Sequence, residues 1–145
     1  MRVGMIALWC TALSVAACSR SESWKVPAFG SDTCRTCNAV IATPRFAAQL
    51  QRADGMIVSF DDPACLLRAL SAAADPPRVV RFQTESVDGW VEGREAWFAR
   101  VPNLATPHGD GWVAFSSFGA AQDAVAVAGG GEILPFDQLR ERLAR

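Results

Sequence analysis

The chain has 145 residues, with 14 basic and 15 acidic side chains, one histidine and a formal net charge of −1. A near-neutral balance of this kind, without a basic stripe, excludes a broad nucleic-acid-binding surface. A chain of this length buries one modest core or two very small ones, and its five cysteines are odd in number, so they cannot all pair internally.

In chain order, the first element is an apolar run of small residues over 3–17 behind Arg2, too short to cross a bilayer as a stable helix. It reads as a signal peptide over 1–17. The run ends in Val15-Ala16-Ala17-Cys18, the pattern that a lipoprotein signal peptidase requires, so Cys18 is expected as the lipidated first mature residue. Several acyl chains anchor stably, because each buried methylene adds transfer free energy. Ser19 behind the cysteine points to the outer membrane, with the domain facing the periplasm. Residues 18–30 are polar and irregular and read as a lipidated tether.

The rest of the chain predicts an α+β fold of two similar ββαβ units in tandem, spanning 31–85 and 86–145. The signal is a repeat: Asp54-Gly55 followed by 56–60 and Asp62-Pro63 matches Asp110-Gly111 followed by 112–115 and Ser117. Each copy reads as turn, strand, helix cap and helix, because Asp-Gly supplies the positive φ of a tight turn and Asp or Ser accepts from the first helical N–H groups. The first unit then has strands at 46–51, 56–60 and 79–84 with a helix at 63–74. The second has strands at 97–101, 112–115 and 133–136, a helix at 118–128 stopped by Gly129-Gly130-Gly131, and a final short helix at 137–145. Residues 86–95 read as the connection between the units, and 38–41 as a further strand.

Three cysteines remain in the folded part, Cys34, Cys37 and Cys65. Cys34-Arg35-Thr36-Cys37 can aim two sulfurs at one soft metal ion, and the same spacing serves thiol–disulfide exchange or a plain disulfide. A redox site usually sets its first cysteine at a helix N-terminus, whereas an extended segment is expected after Cys37, which suits a metal better. Cys65 falls in the first turn of a helix, where it is either a further ligand or ordinary apolar core; backbone N–H groups there would favour a thiolate. Asp61-Asp62 reads as a pair of helix caps, and Met56 as core. The tryptophans read as tether contact or packing. His108, in Thr106-Pro107-His108-Gly109, has no Gly-x-Ser-x-Gly elbow to pair with, and no phosphate-binding loop is present, so no enzyme site is predicted.

The order of these features resembles the NosL family, accessory lipoproteins of nitrous oxide reductase maturation. The residues that carry it are the lipobox, Cys34-Arg35-Thr36-Cys37, Val58-Ser59-Phe60-Asp61-Asp62 before Cys65, Trp97-Phe98, Thr106-Pro107-His108-Gly109 and Val113-Ala114-Phe115. The family usually has Gly-Met where this chain has Asn38-Ala39, and Pro-Met-Gly where it has Pro107-His108-Gly109. Copper(I) accepts imidazole as well as thioether, so the resemblance implies Cys34, Cys37 and His108 as metal ligands, with Cys65 as an additional candidate. It implies a membrane-anchored copper(I) carrier of the cell envelope whose client is a copper enzyme such as nitrous oxide reductase. Two other readings compete: a thiol–disulfide oxidoreductase working through Cys34 and Cys37, and a structural zinc module built from Cys34, Cys37, Cys65 and His108.

Overall fold

The computed structural model describes residues 24–85 and 89–144. The segments expected as signal peptide and lipobox, with Cys18, and residues 86–88 of the connection lie outside them. The described chain is a mixed α and β domain with two antiparallel sheets and three helices. In the first sheet β1 (Ala48–Gln51) pairs with β2 (Ile57–Phe60) and β3 (Val79–Gln83), and β4 (Trp90–Glu92) extends the edge, giving the order β2-β1-β3-β4. In the second, β5 (Trp97–Arg100) lies between β6 (Trp112–Phe115) and β7 (Glu132–Pro135). Helix α1 (Pro63–Ala72) follows β2, α2 (Phe118–Val127) follows β6, and α3 (Phe136–Leu143) closes the chain.

Both Asp-Gly pairs turn with glycine at positive φ, 89° at Gly55 and 76° at Gly111, where a side chain would be strained. Helix α1 starts on Asp62, whose carboxylate accepts from the Ala64 N–H at 2.7 Å, and α2 on Ser117, whose hydroxyl accepts from Ala120. After α2, Gly129, Gly130 and Gly131 all take positive φ and end the helix. The expected elements differ from the observed ones in three places. Residues 38–41 form no strand: Val40 makes a single antiparallel bridge to Thr33, closing a tight turn. Pro44–Phe46 is a 3-10 turn, so the first strand begins only at Ala48. The connection over 86–95 contains β4 and a 3-10 turn at Gly93–Glu95.

One core runs through both sheets. Phe60, Leu66, Leu67 and Phe82 from the first half meet Phe98, Leu134 and Leu139 from the second, all buried. Phe82 of β3 and Phe98 of β5 stack edge to face with centroids 4.8 Å apart, and Phe136 adds a tilted contact to Phe82 at 6.0 Å. A parallel bridge between Thr84 and Ala114 joins the halves at the backbone. A smaller cluster, Phe46, Ala99, Val113, Phe115 and Ala121, packs beneath α2.

Residues 24–27 strap the open face of the first sheet. Trp24 and Trp90 lie on the Arg81 guanidinium at 4.1 and 4.2 Å, while Gln49 accepts from Arg81 and donates to the Lys25 carbonyl and the Ser59 hydroxyl. Burial pulls the Arg81 guanidinium down to about 10, a cost that the two ring faces offset. Two tryptophans expected only to pack therefore hold a cation, one belonging to the fold itself. Met56, expected in the core, sits before β2 with 54% of its surface exposed.

Asp62 gives a testable consequence of capping inside the core. Its second oxygen, Oδ2, is buried with no hydrogen-bond partner, and burial raises the carboxyl above its usual 3.8. The native state therefore binds this proton more tightly than the unfolded chain, so the Asp62 contribution to stability declines as pH rises from about 4 through the raised value. Asn keeps the oxygen that accepts from Ala64 and has no charge to bury. Urea unfolding of Asp62→Asn should show stability relative to wild type increasing from pH 4 to pH 7; a constant difference would contradict this account.

Candidate metal centre

Cys34, Arg35, Thr36 and Cys37 form a tight knuckle. The Asn38 N–H donates to the Cys34 carbonyl at 2.9 Å and the Cys34 N–H to the Ala39 carbonyl at 2.8 Å, with Asn38 at φ 61°. Asparagine tolerates this left-handed conformation because its short polar side chain bonds locally. Two further bonds dock the knuckle. The Arg35 N–H donates to the Ser59 carbonyl of β2 at 3.1 Å, and the Thr36 hydroxyl donates to the Cys65 carbonyl of α1 at 2.9 Å. The second bond sets the knuckle over the first turn of α1, beside the Cys65 thiol.

The result is a cluster in which one ligand atom each from Cys34, Cys37, Asp61 and Cys65 all lie within 4.8 Å of one another. Cys34 and Cys65 are fully buried and Asp61 nearly so, whereas Cys37 is exposed. The site is thus closed from within and open on the Cys37 side. Asp61 accepts from the Cys37 thiol at 3.5 Å through Oδ2 and at 3.7 Å through Oδ1, and Oδ2 also meets His108 Nε2 at 3.2 Å. Of the expected pair of caps only Asp62 caps the helix; Asp61 faces the thiols.

His108 hangs from the long loop between β5 and β6. The turn Thr106–Gly109 is closed by the Gly109 N–H to the Thr106 carbonyl at 3.0 Å, and the Thr106 hydroxyl accepts from the Gly111 N–H at 3.1 Å. Arg68 of α1 holds the same loop through Asp110 at 2.9 Å. His108 is not one of the four clustered groups and reaches them through Asp61.

The thiols do not titrate alike. A hydrogen bond from the Cys65 thiol, against the opposing effect of burial, lowers Cys34 from 9.0 to about 6. The same contact, with burial, pushes Cys65 up, so the thiolate expected from its place in the helix is taken by Cys34 instead. Burial raises Cys37 as well, and Cys34 and Asp61 beside it add to this. Of the three sulfurs Cys34 alone is shifted toward the thiolate, and a soft cation would have to displace the protons held by the other two. Asp61 escapes a reading of local spacing because it is 24 residues from Cys37 along the chain; Cys65 was signalled by its place at the helix start and, through the resemblance, as an additional candidate ligand.

The fold and cluster define a class, an α+β domain whose two antiparallel sheets bring a thiol-rich, metal-competent site to one surface. No family model matches the sequence, and no curated protein matches it. Among solved structures the chain is similar to the copper chaperone NosL from Shewanella denitrificans, with a TM-score of 0.63 over 80% of this chain and 93% of that one at 15% identity. The likeness is one of fold.

Proposed function

We propose that this protein is a copper(I) carrier of the bacterial envelope, held to the membrane through lipid on Cys18, that loads one ion on the cysteine cluster and passes it to a copper enzyme. Nitrous oxide reductase is the proposed client, following the family resemblance. The observation that carries the reading is a cluster of three thiols, two buried and one open. Soft thiolates suit copper(I), and a site open on one side lets an incoming ligand attack before the outgoing bond breaks. Cys34, Cys37 and Cys65 are the proposed ligands, with His108 at the rim as an additional donor and Asp61 holding it. The equivalent element orders β1-β2-α1-β3 and β5-β6-α2-β7, each with its first strand central, support descent from a duplicated ββαβ unit. The reaction is ligand exchange, without turnover.

The decisive experiment is anaerobic competition between the reduced protein and a copper(I) chelator, with one ion per chain as the expected result. His108→Ala should weaken that binding by about 10- to 100-fold, the usual cost of losing a group that supports a metal site. Apo stability should change by no more than about 0.5 kcal/mol, because the imidazole sits on a loop outside the core. Equal affinities for the two proteins would remove His108 from the site. Asp61 favours a second reading: three sulfurs and one oxygen also suit tetrahedral zinc. Chelation separates the two, since a structural zinc module unfolds when stripped and a carrier with its own aromatic core does not.

A further inference from the structure

The cluster offers three sulfurs to one another but only one of them to solvent. Cys34 and Cys65 are 0% exposed, while Cys37 stands open at the rim. A bulky reagent can therefore meet Cys37 alone, and access is one of the conditions that select which thiol exchanges with an external disulfide. The Asp61 carboxylate, 3.5 Å from the Cys37 sulfur, is placed to take its proton. Behind Cys37, within 4.8 Å, lies Cys34 on the same four-residue turn.

We propose that the site is also a thiol-exchange centre for low-molecular-weight disulfides, in which Cys37 is the entry sulfur, Cys34 the resolving sulfur and Cys65 the thiol left over. The inference rests on the carrier reading for its consequence but not for its chemistry. In the first step the Cys37 sulfur gives its proton to the Asp61 carboxylate and attacks one sulfur of the external disulfide, the external S–S bond breaks, and the departing thiolate takes the proton back from Asp61. In the second, the Cys34 thiolate attacks Cys37, the mixed disulfide breaks, and a second small thiolate leaves and takes its proton from water. Two electrons pass from the cysteine pair to the external disulfide, so one disulfide is consumed and two small thiols are released. Cys34 resolves because it shares a turn with Cys37, and side-chain rotation brings the sulfurs to bonding distance. Cys65 is fixed on α1, where the Thr36 hydroxyl holds its carbonyl.

The consequence is a lock on the empty carrier. Oxidation removes two of the three sulfur donors, so the oxidised site cannot load, and a bound soft ion occupies the same sulfurs and blocks oxidation. Loading and exchange therefore exclude each other.

The test uses the full chain, reduced and metal-free, exposed to glutathione disulfide, quenched with acid, alkylated and mapped by mass spectrometry. The expected product is a Cys34–Cys37 disulfide with Cys65 free. Cys34→Ser should stop at the first step, with glutathione on Cys37, and Cys37→Ser should leave Cys34 and Cys65 unmodified in the native protein. Preloading with copper(I) should slow the reaction by at least about tenfold. A Cys34–Cys65 bond, reaction of Cys37→Ser at the wild-type rate, or no reaction of the wild type would each overturn the proposal. Failure of the carrier reading appears elsewhere, in chelator competition on the reduced protein, and leaves the thiol map of the metal-free chain unchanged.

Discussion

On the proposed reading, Cys34→Ser should lower copper(I) affinity by more than about 100-fold, beyond the range expected for losing an outer partner of a metal site. Cys34 is the sulfur on which the others converge: it receives the Cys65 hydrogen bond, stands behind Cys37, and is the one thiol of the three whose pKa is lowered. A serine hydroxyl at this position is neutral and hard, so the ion loses its preformed anionic donor and must strip protons from two thiols that hold them tightly. Cys37→Ser should cost less, because its sulfur sits at the solvent edge. Chelator competition on the three proteins at neutral pH ranks them, and a Cys34→Ser protein that binds as tightly as wild type would remove the cluster from the metal site.

Phe98→Ala should cost about 3–5 kcal/mol, the usual range for truncating a fully buried phenylalanine. Phe98 is fully buried on β5, and its ring meets Phe82 of β3 edge to face, so the cavity would open at the seam between the two sheets. Phe136 and the Thr84–Ala114 bridge fasten the same seam. Phe82→Ala should cost a similar amount, and a double-mutant cycle should return a coupling of about 0.5–1.5 kcal/mol from the ring pair. Phe98→Leu, which keeps most of the volume, guards against a variant too unstable to measure. Urea midpoints give each value, and additive losses for Phe82 and Phe98 would show that the rings stabilise the fold separately.

How much of this was legible beforehand varies with range along the chain. The helix starts at Asp62 and Ser117, the Asp-Gly turns and the glycine stop after α2 are set by bonds between near neighbours, and local residue chemistry reports them. Strand β4 is three residues of Trp90-Val91-Glu92 inside a polar connection, and only pairing with Arg81, Phe82 and Gln83 makes it a strand. Residues 38–41 fail in the opposite sense: their β-branched residues suit a strand, but the knuckle uses the segment to close its own turn, leaving one bridge. At the site the Cys-x-x-Cys spacing announced a chelating pair. Asp61 was read as a cap because its neighbour is one, and its contacts with Cys37 and His108 cross 24 and 47 residues of chain. Arg81 between Trp24 and Trp90 is likewise invisible to local patterns.

The contact between Asp61 and His108 joins the end of β2 to the loop between β5 and β6, so it bridges the same two halves that the aromatic rings fasten from inside. On the proposed reading, an ion drawing donors from both sides would become a rivet across that joint. By thermodynamic reciprocity, whatever tightens the joint tightens ion binding, and whatever loosens it weakens binding by the same factor. At a free ion concentration 100 times its dissociation constant, occupancy would add about 2.7 kcal/mol to the folded state, a little less than the loss expected from truncating Phe98. Unloading would then leave the domain measurably softer along one line, and the laden and emptied protein would differ in mechanical stiffness while sharing one fold.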